Sequence, residues 1–164
     1  MNNTPIILDT TYVLPLFGVQ VLHEPAFQEE MKVLWENGIK DCKIYLPSVC
    51  LVEVMYILNA EYRKKNDIDI LNRYPLILPT VLNSPIEIFD SLQNIQANHV
   101  AMKIHHAGHP DLMDCWIAGS AAATKGILIT EDGNLTAILK SIPETKNTTV
   151  LSWKLFQKQE SSGV

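Results

Sequence analysis

The stretch IILDTTYVL, residues 6–14, places three apolar residues directly before an acid near the start of the chain. A short run of Ile and Leu that ends so abruptly is typical of a strand buried on both faces of a parallel sheet. The sequence therefore predicts a first strand over Ile6 to Leu8, with the carboxylate of Asp9 at its C-terminal end.

Four more short apolar runs alternate with amphipathic segments along the rest of the chain. Strands are predicted at 43–46, 86–89, 127–130 and 149–151. Helices are predicted at 10–18, 25–37, 47–65, 91–106, 111–124 and 135–141. Strands that alternate with helices in this way predict an α/β domain, with a central, mostly parallel sheet covered by helices on both faces.

Two segments depart from this pattern. Residues 67–85 contain three prolines, so we predict a connecting segment with one short helix. Residues 155–164 are polar and end in Ser-Ser-Gly-Val, which predicts a flexible C-terminal tail. The domain itself is therefore expected to span residues 1–154.

Composition excludes several classes of protein. Hydrophobic residues make up 47% of the 164 residues and charged residues 19%, a balance typical of globular rather than disordered chains. A net charge of −5 excludes a strongly basic coat protein for nucleic acid, but not an enzyme that acts on nucleic acid. With no signal-like N-terminus and no run of about 18 apolar residues, we expect a soluble, cytoplasmic protein without a membrane segment. The three cysteines are expected to be reduced thiols.

Acids cluster at the predicted ends of the strands. The carboxyl ends of parallel strands meet at one edge of the sheet, which is where ligands bind in open α/β sheets. Asp9 and Asp132 follow two of the strands, and Glu53 lies in the helix after another. Asp111 and Asp114 share the first turn of a helix, three residues apart and therefore on one side of it.

Each acid also has a plain structural interpretation. Asp111 is typical of a helix start, and Asp132-Gly-Asn is typical of a turn. Glu53 and Asp114 are harder to explain, because they lie in the apolar stretches LPSVCLVEVMYIL and DLMDCWIAGSAA, and a buried acid without a partner is costly. Converging acids of this kind predict a site for hard divalent cations. Without these five acids, the remaining thirteen match the thirteen Lys and Arg residues.

Three histidines form a second candidate cluster. His105, His106 and His109 precede the helix that carries Asp114. We interpret them as a polar helix end, where protonated imidazoles suit the helix dipole. Contact with RNA near the sheet edge and a Zn²⁺ or Ni²⁺ site are the alternatives.

Four segments of the chain, taken in order, carry a resemblance to a known family. They are IILDTTYVL, LPSVCLVEVMYIL, LMDCWIAGSAA and ILITEDGNL, with Asp9, Glu53, Asp114 and Asp132 respectively. The chain resembles the PIN-domain nucleases, and among them the VapC-type ribonuclease toxins. The resemblance implies a three-layer α/β/α fold and metal-dependent hydrolysis of RNA phosphodiester bonds.

The same resemblance implies how the site is divided among its residues. Asp9, Asp114 and Asp132 are expected to bind Mg²⁺ or Mn²⁺, while Glu53 ligates directly, binds through water or orients the attacking water. Thr10, Thr130 and Asp111 are expected to support the site. The number of ions stays open. In the fourth segment Asp132 is preceded by Glu131 and followed by Gly133, whereas many relatives have a basic residue after the acid. No evident cation is therefore present there to hold the substrate.

The biological setting has several interpretations. The resemblance implies a toxin inhibited by a cognate antitoxin protein, and a homodimer for which Met31, Trp35, Trp116 and Trp153 offer apolar surface, unless they fill the core. The alternatives are a housekeeping RNA-processing nuclease, an inactive PIN-like module that binds RNA or protein, and a receiver-like domain. The receiver-like domain requires a lysine near the end of the last strand, and no convincing candidate is present.

Overall fold

Five short parallel strands form one sheet in the computed structural model, which describes residues 4–21 and 25–161. The strands are β1 (Ile6–Leu8), β2 (Ile44–Pro47), β3 (Glu87–Phe89), β4 (Ile127–Ile129) and β5 (Val150–Leu151). Their order is β3-β2-β1-β4-β5, so β1 is central and pairs with both β2 and β4. All three residues of β1 are buried, as predicted for a strand covered on both faces.

Helices connect the strands and cover the sheet. The described residues form α1 (Pro25–Asn37), α2 (Ser48–Lys65), α3 (Asp69–Leu82), α4 (Ile95–His106), α5 (Leu112–Thr124), α6 (Gly133–Ser141) and α7 (Trp153–Ser161). Two short 3₁₀ helices, Thr10–Tyr12 and Leu14–Phe17, follow β1 in place of the single helix predicted there. The predicted three-layer α/β/α fold with a parallel sheet is confirmed. In the described part of the chain, none of the helices is long and apolar enough to span a bilayer.

The proline-containing segment is more helical than predicted. α3 has 14 residues, and both Pro75 and Pro79 lie inside it. Each proline removes one backbone donor, but both are exposed, so water can reach the carbonyl groups that lose a partner. The buried side chains of Ile70 and Val81 anchor the helix at its two ends. Tertiary packing therefore outweighs the unfavourable helix propensity of the prolines.

The polar C-terminal segment is also helical where the structure describes it. α7 runs from Trp153 to Ser161, so the segment predicted as a tail from residue 155 is helical as far as Ser161, while residues 162–164 lie outside the described residues. Its anchor is Phe156, which is 2% exposed and stacks on Trp153 with ring centroids 5.7 Å apart. The indole Nε1–H of Trp153 donates to Glu30 of α1 at 2.6 Å. A single buried aromatic residue thus fixes a segment whose composition is mostly polar.

The apolar surface predicted for a dimer lies largely in the core. Met31, Trp35 and Trp153 are buried, at 0%, 2% and 7% exposure. Trp116 is half-buried, and its indole N–H donates to Asn98 at 2.9 Å. These residues hold α1, α4, α5 and α7 in place. Cys42, Cys50 and Cys115 are free thiols, as predicted.

Close packing between α4 and α5 fixes the position of the loop that joins them. Gly119 lies so near the Ala97 carbonyl that a Cβ would collide with it. The absence of a side chain at this position lets the two helices approach one another. Asp114 of α5 and His109 of the connecting loop are therefore carried on a rigid helix pair at the edge of the sheet.

Candidate active site

Asp9 follows directly after β1 and caps the first 3₁₀ helix. Its Oδ1 accepts the backbone N–H of Thr11 at 2.7 Å, and the residue is only 8% exposed. Burial raises the pKa of Asp9 to about 6, and the nearby charge of Glu53 adds to the rise. Hydrogen bonding to Thr130 and Thr11 opposes it. Asp9 is therefore an acid held in a place where its charge is poorly solvated.

Glu53 faces Asp9 from the second turn of α2. Thr10 donates its hydroxyl hydrogen to Oε2 of Glu53. Burial raises the pKa of Glu53, the Thr10 hydrogen bond lowers it, and the charge of Asp111 raises it further. The helix that follows β2 thus brings a half-buried carboxylate back over the end of β1, and Thr10 fixes one of its two oxygens.

Asp114 lies in the first turn of α5, between the other acids. Burial raises its pKa to about 7. The charges of Asp111, Glu53 and Asp9 add to this rise, in that order. Four carboxyl groups from three different segments therefore interact electrostatically at one edge of the sheet, as their positions in the sequence predict.

Asp132 follows β4 and caps α6. Its Oδ1 accepts the backbone N–H groups of Asn134 at 2.7 Å and Leu135 at 3.0 Å. Partial burial acts to raise its pKa, but these hydrogen bonds and one from His109 prevail and hold the pKa of Asp132 below its usual range. Unlike Asp9 and Asp114, Asp132 is an anion well below neutral pH.

Two predicted supporting residues differ in what they contact. The buried Thr130 accepts the backbone N–H of Asp132 at 3.1 Å, and hydrogen bonding to its side chain also lowers the pKa of Asp9. It therefore links the ends of β1 and β4. The exposed Asp111 caps α5 and accepts the backbone N–H of Met113 at 2.8 Å, so its carboxylate acts on the other acids through its charge.

His109 lies at the site, although its favoured interpretation from the sequence was a polar helix end, with RNA contact near the sheet edge and a metal site as alternatives. Predicted as part of a polar helix end, it instead follows the end of α4 and is 2% exposed. Its Nε2 lies 3.3 Å from Oδ2 of Asp132 and 3.9 Å from Oδ2 of Asp114. The sequence signal was Gly108-His109-Pro110, a composition typical of a turn, in which Gly108 adopts a φ of +110°.

The arrangement suits a positive ion. One ligand atom from each of His109, Asp114 and Asp132 lies within 4.8 Å of the other two. Asp9 and Glu53 are not part of that compact group, but their charges reach Asp114. Burial raises the pKa values of Asp9 and Asp114, and repulsion from neighbouring carboxylates adds to the rise. A divalent cation would relieve that repulsion. Carboxylate oxygens are also the ligands that Mg²⁺ and Mn²⁺ prefer.

Known structures share this fold at low sequence identity. A chain of VapBC2 from Rickettsia felis, solved bound to a DNA fragment from their promoter, is 18% identical, with a TM-score of 0.57 over 91% of this chain and 98% of that one. DNA-bound VapBC from Salmonella typhimurium is 14% identical, with a TM-score of 0.57 over 93% of this chain and 99% of that one. FitAcB from Neisseria gonorrhoeae is 15% identical, with a TM-score of 0.56 over 89% of this chain and 96% of that one.

Sequence comparison identifies the family. No curated protein sequence matches the chain significantly. The PIN-domain profile, however, matches residues 6–140, which include the ends of β1, β2 and β4 and every acid described above. Together with the parallel sheet and its acidic edge, this match shows that the chain belongs to the PIN-domain family.

Proposed function

We propose that the protein is a divalent-metal-dependent endoribonuclease that hydrolyses RNA phosphodiester bonds. The observation that carries the proposal is the convergence of Asp9, Glu53, Asp114 and Asp132 on one sheet edge, where burial and mutual repulsion raise the pKa of three of them. Nucleases of this chemistry need negative ligands that bring a cation to an anionic substrate.

The chain's own residues would share the work in the following way. Asp114 and Asp132, with Asp9 beside them, would hold Mg²⁺ or Mn²⁺. When bound, the cation supplies positive charge to the phosphate and makes water more acidic. Oε2 of Glu53 is occupied by the Thr10 hydroxyl, so Oε1 is the oxygen left to orient the attacking water and accept its proton. Thr130 links the ends of β1 and β4, because its side chain bonds the Asp132 N–H and the Asp9 carboxyl group.

The proposed setting is a toxin–antitoxin pair in the cytoplasm. Solved chains of this fold come from VapBC and FitAB assemblies, which supports a protein antitoxin as partner. A homodimer belongs to the same proposal. Since Met31, Trp35 and Trp153 are buried, its apolar surface would come from other residues, and exposed side chains of α2 at Val52, Met55 and Tyr56 offer one. Light scattering would measure the mass directly.

The test is cleavage of a mixture of structured RNAs with Mn²⁺, with Mg²⁺ or with EDTA. Wild-type protein should cleave only with a divalent ion, and Asp114→Asn should reduce the rate by roughly 10²–10⁴-fold, since metal ions contribute several kcal/mol to such reactions. Glu131→Gln is the matched control: this acid lies next to Asp132 but bonds Tyr12 and Trp153, and its variant should cleave normally.

Other outcomes would redirect the proposal. Binding of Mn²⁺ without cleavage would keep the cation site and reject the RNAs chosen. Neither binding nor cleavage would reject the nuclease in favour of an inactive interaction module. Expression of the chain alone separates a toxin from a housekeeping RNA-processing enzyme, because only the toxin should arrest growth and be neutralised by a protein encoded next to it.

A further inference from the structure

His109 is a buried imidazole directed at two carboxylates. It is 2% exposed, and its Nε2 lies 3.3 Å from Oδ2 of Asp132 and 3.9 Å from Oδ2 of Asp114. His109 lies in the loop between α4 and α5, so these two helices determine its position. The helix pair that carries Asp114 therefore carries His109 as well.

The other ring nitrogen of His109 is held by a group that can only accept. Nδ1 lies 3.2 Å from the backbone carbonyl oxygen of Asp111, so the hydrogen on Nδ1 makes this bond. In the neutral imidazole Nε2 then carries a lone pair, and that lone pair faces two carboxylate oxygens. These three electron-rich atoms need either a hydrogen on Nε2, which would donate to Asp132, or a metal cation between them.

This arrangement matches how histidine binds metals in proteins. A ligating imidazole usually donates its second ring N–H to a backbone carbonyl or carboxylate, which fixes its tautomer and orientation. The spacing also fits, since two ligand atoms each about 2.1 Å from a common ion are separated by at most about 4.2 Å. Both distances from Nε2 satisfy this limit.

We propose that His109 Nε2 is a nitrogen ligand of the cation site formed by Asp114 and Asp132, and that it makes the site prefer Mn²⁺ and Co²⁺ to Mg²⁺. The inference deepens the proposed function by naming a ligand that selects the ion. Mg²⁺ is a hard ion that favours oxygen and keeps its water, whereas imidazole is a favourable ligand for transition metals.

The experiment is pulsed electron paramagnetic resonance of the wild-type protein with one equivalent of Mn²⁺ and no RNA. A ¹⁴N coupling in the Mn²⁺ spectrum is expected, and it should change to a ¹⁵N coupling when the protein is made with ¹⁵N-histidine. This measurement requires no variant, so a folding defect cannot obscure it. A spectrum without a histidine nitrogen coupling would overturn the proposal.

Variants then identify the histidine and the selectivity. His109→Gln should abolish the coupling and weaken Mn²⁺ and Co²⁺ binding by about 10–100-fold, with a smaller loss for Mg²⁺. His106→Gln is the matched control, because His106 is exposed at the end of α4 and should leave the spectrum and all affinities unchanged. Equal losses for Mn²⁺ and Mg²⁺ in His109→Gln would overturn the proposal, since His109 would then only orient Asp132.

The two proposals fail separately. A histidine coupling in a protein that cleaves no RNA would uphold the nitrogen ligand and reject the nuclease. Cleavage of RNA by a protein whose bound Mn²⁺ shows only oxygen ligands would do the reverse.

Discussion

Asp9 and Asp132 occupy matching places at the ends of the neighbouring strands β1 and β4, yet their acidity differs in opposite directions. Each caps a helix that begins directly after it. Burial raises the pKa of Asp9 to about 6, whereas the pKa of Asp132 lies below its usual range. Position at a strand end is therefore shared, and charge state is not.

The difference follows from hydrogen-bond donors and water. Asp9 is 8% exposed and its carboxylate accepts one backbone N–H, from Thr11. The Asp132 side chain is 35% exposed, accepts two backbone N–H groups and faces His109. Asp132 is thus an anion before any cation arrives, while below about pH 6 to 7 Asp9 and Asp114 still hold a proton that cation binding would displace. Cation affinity should accordingly increase with pH up to about 6 to 7, because binding displaces this proton.

The largest expected effect is on stability without metal. The folded-state pKa of Asp9 exceeds its unfolded value of 3.8, so the folded state binds more protons between about pH 4 and 6. The free energy of unfolding therefore falls as pH rises through this window. Asp9→Asn cannot ionise and should be more stable than wild type at pH 7.5 in EDTA, by on the order of 2 kcal/mol, but not at pH 4. Urea unfolding at the two pH values measures this.

Asp132→Asn is expected to change the free energy of unfolding in the opposite direction, and it is the second half of that test. The pKa of Asp132 is lowered, so its contribution to stability is present above the unfolded pKa and is lost as pH falls through the folded one. Its replacement should lower stability at pH 7.5, although asparagine still caps the helix. If the two variants changed stability in the same direction, the contrast between the two strand ends would be refuted.

The next effect is on catalysis through Glu53. Thr10 is 4% exposed and its hydroxyl donates to Oε2 of Glu53. Thr10→Val keeps the shape of the side chain but removes the donor, and a hydrogen bond to a charged group contributes about 1.5–3 kcal/mol. RNA cleavage should slow by about tenfold or more in kcat. Thr10→Ser restores the donor and should restore most of the rate; equal rates for the two variants would argue against a positioning role.

The sequence predicts the fold well because its strands are short and separated by helices, and the central strands β1 and β4 are wholly apolar. Ile6–Leu8 and Ile127–Ile129 can hardly lie anywhere but in the centre of a parallel sheet, and they lie there side by side. Because the carboxyl ends of parallel strands meet at one edge of the sheet, Asp9 and Asp132 are brought together. These are local patterns, and local patterns are what a single sequence reveals.

What the sequence does not reveal depends on distant packing. Pro75 and Pro79 disfavour a helix locally, but α3 forms because its ends are buried and its prolines face water. Phe156 lies in a mostly polar segment, and it is buried in α7, which packs beside β5 and is joined to α1 through Trp153 and Glu30. His109 follows a glycine with positive φ and faces Asp132, which lies elsewhere in the chain. Each case requires contacts that no spacing encodes.

Glu131 and Asp132 show most clearly what a single sequence does not reveal, because these adjacent acids have different roles. Glu131 Oε1 accepts the hydroxyl hydrogen of the buried Tyr12 and the backbone N–H of Trp153, both at 3.0 Å. Glu131 thus joins the end of β4 to the first 3₁₀ helix and to α7. Its neighbour Asp132 faces His109 and the other acids.

The smallest predicted effect separates these two roles. Glu131→Ala leaves the buried Tyr12 hydroxyl without its acceptor and should destabilise the protein by about 1–2 kcal/mol. Glu131→Gln keeps an acceptor oxygen and should recover most of that loss. Neither change should alter Mn²⁺ affinity, measured by titration calorimetry at a temperature where both variants are folded. If Glu131→Ala weakened Mn²⁺ binding as much as Asp132→Asn is expected to, the two adjacent acids would not have separate roles. Cation binding would then depend on the whole end of β4.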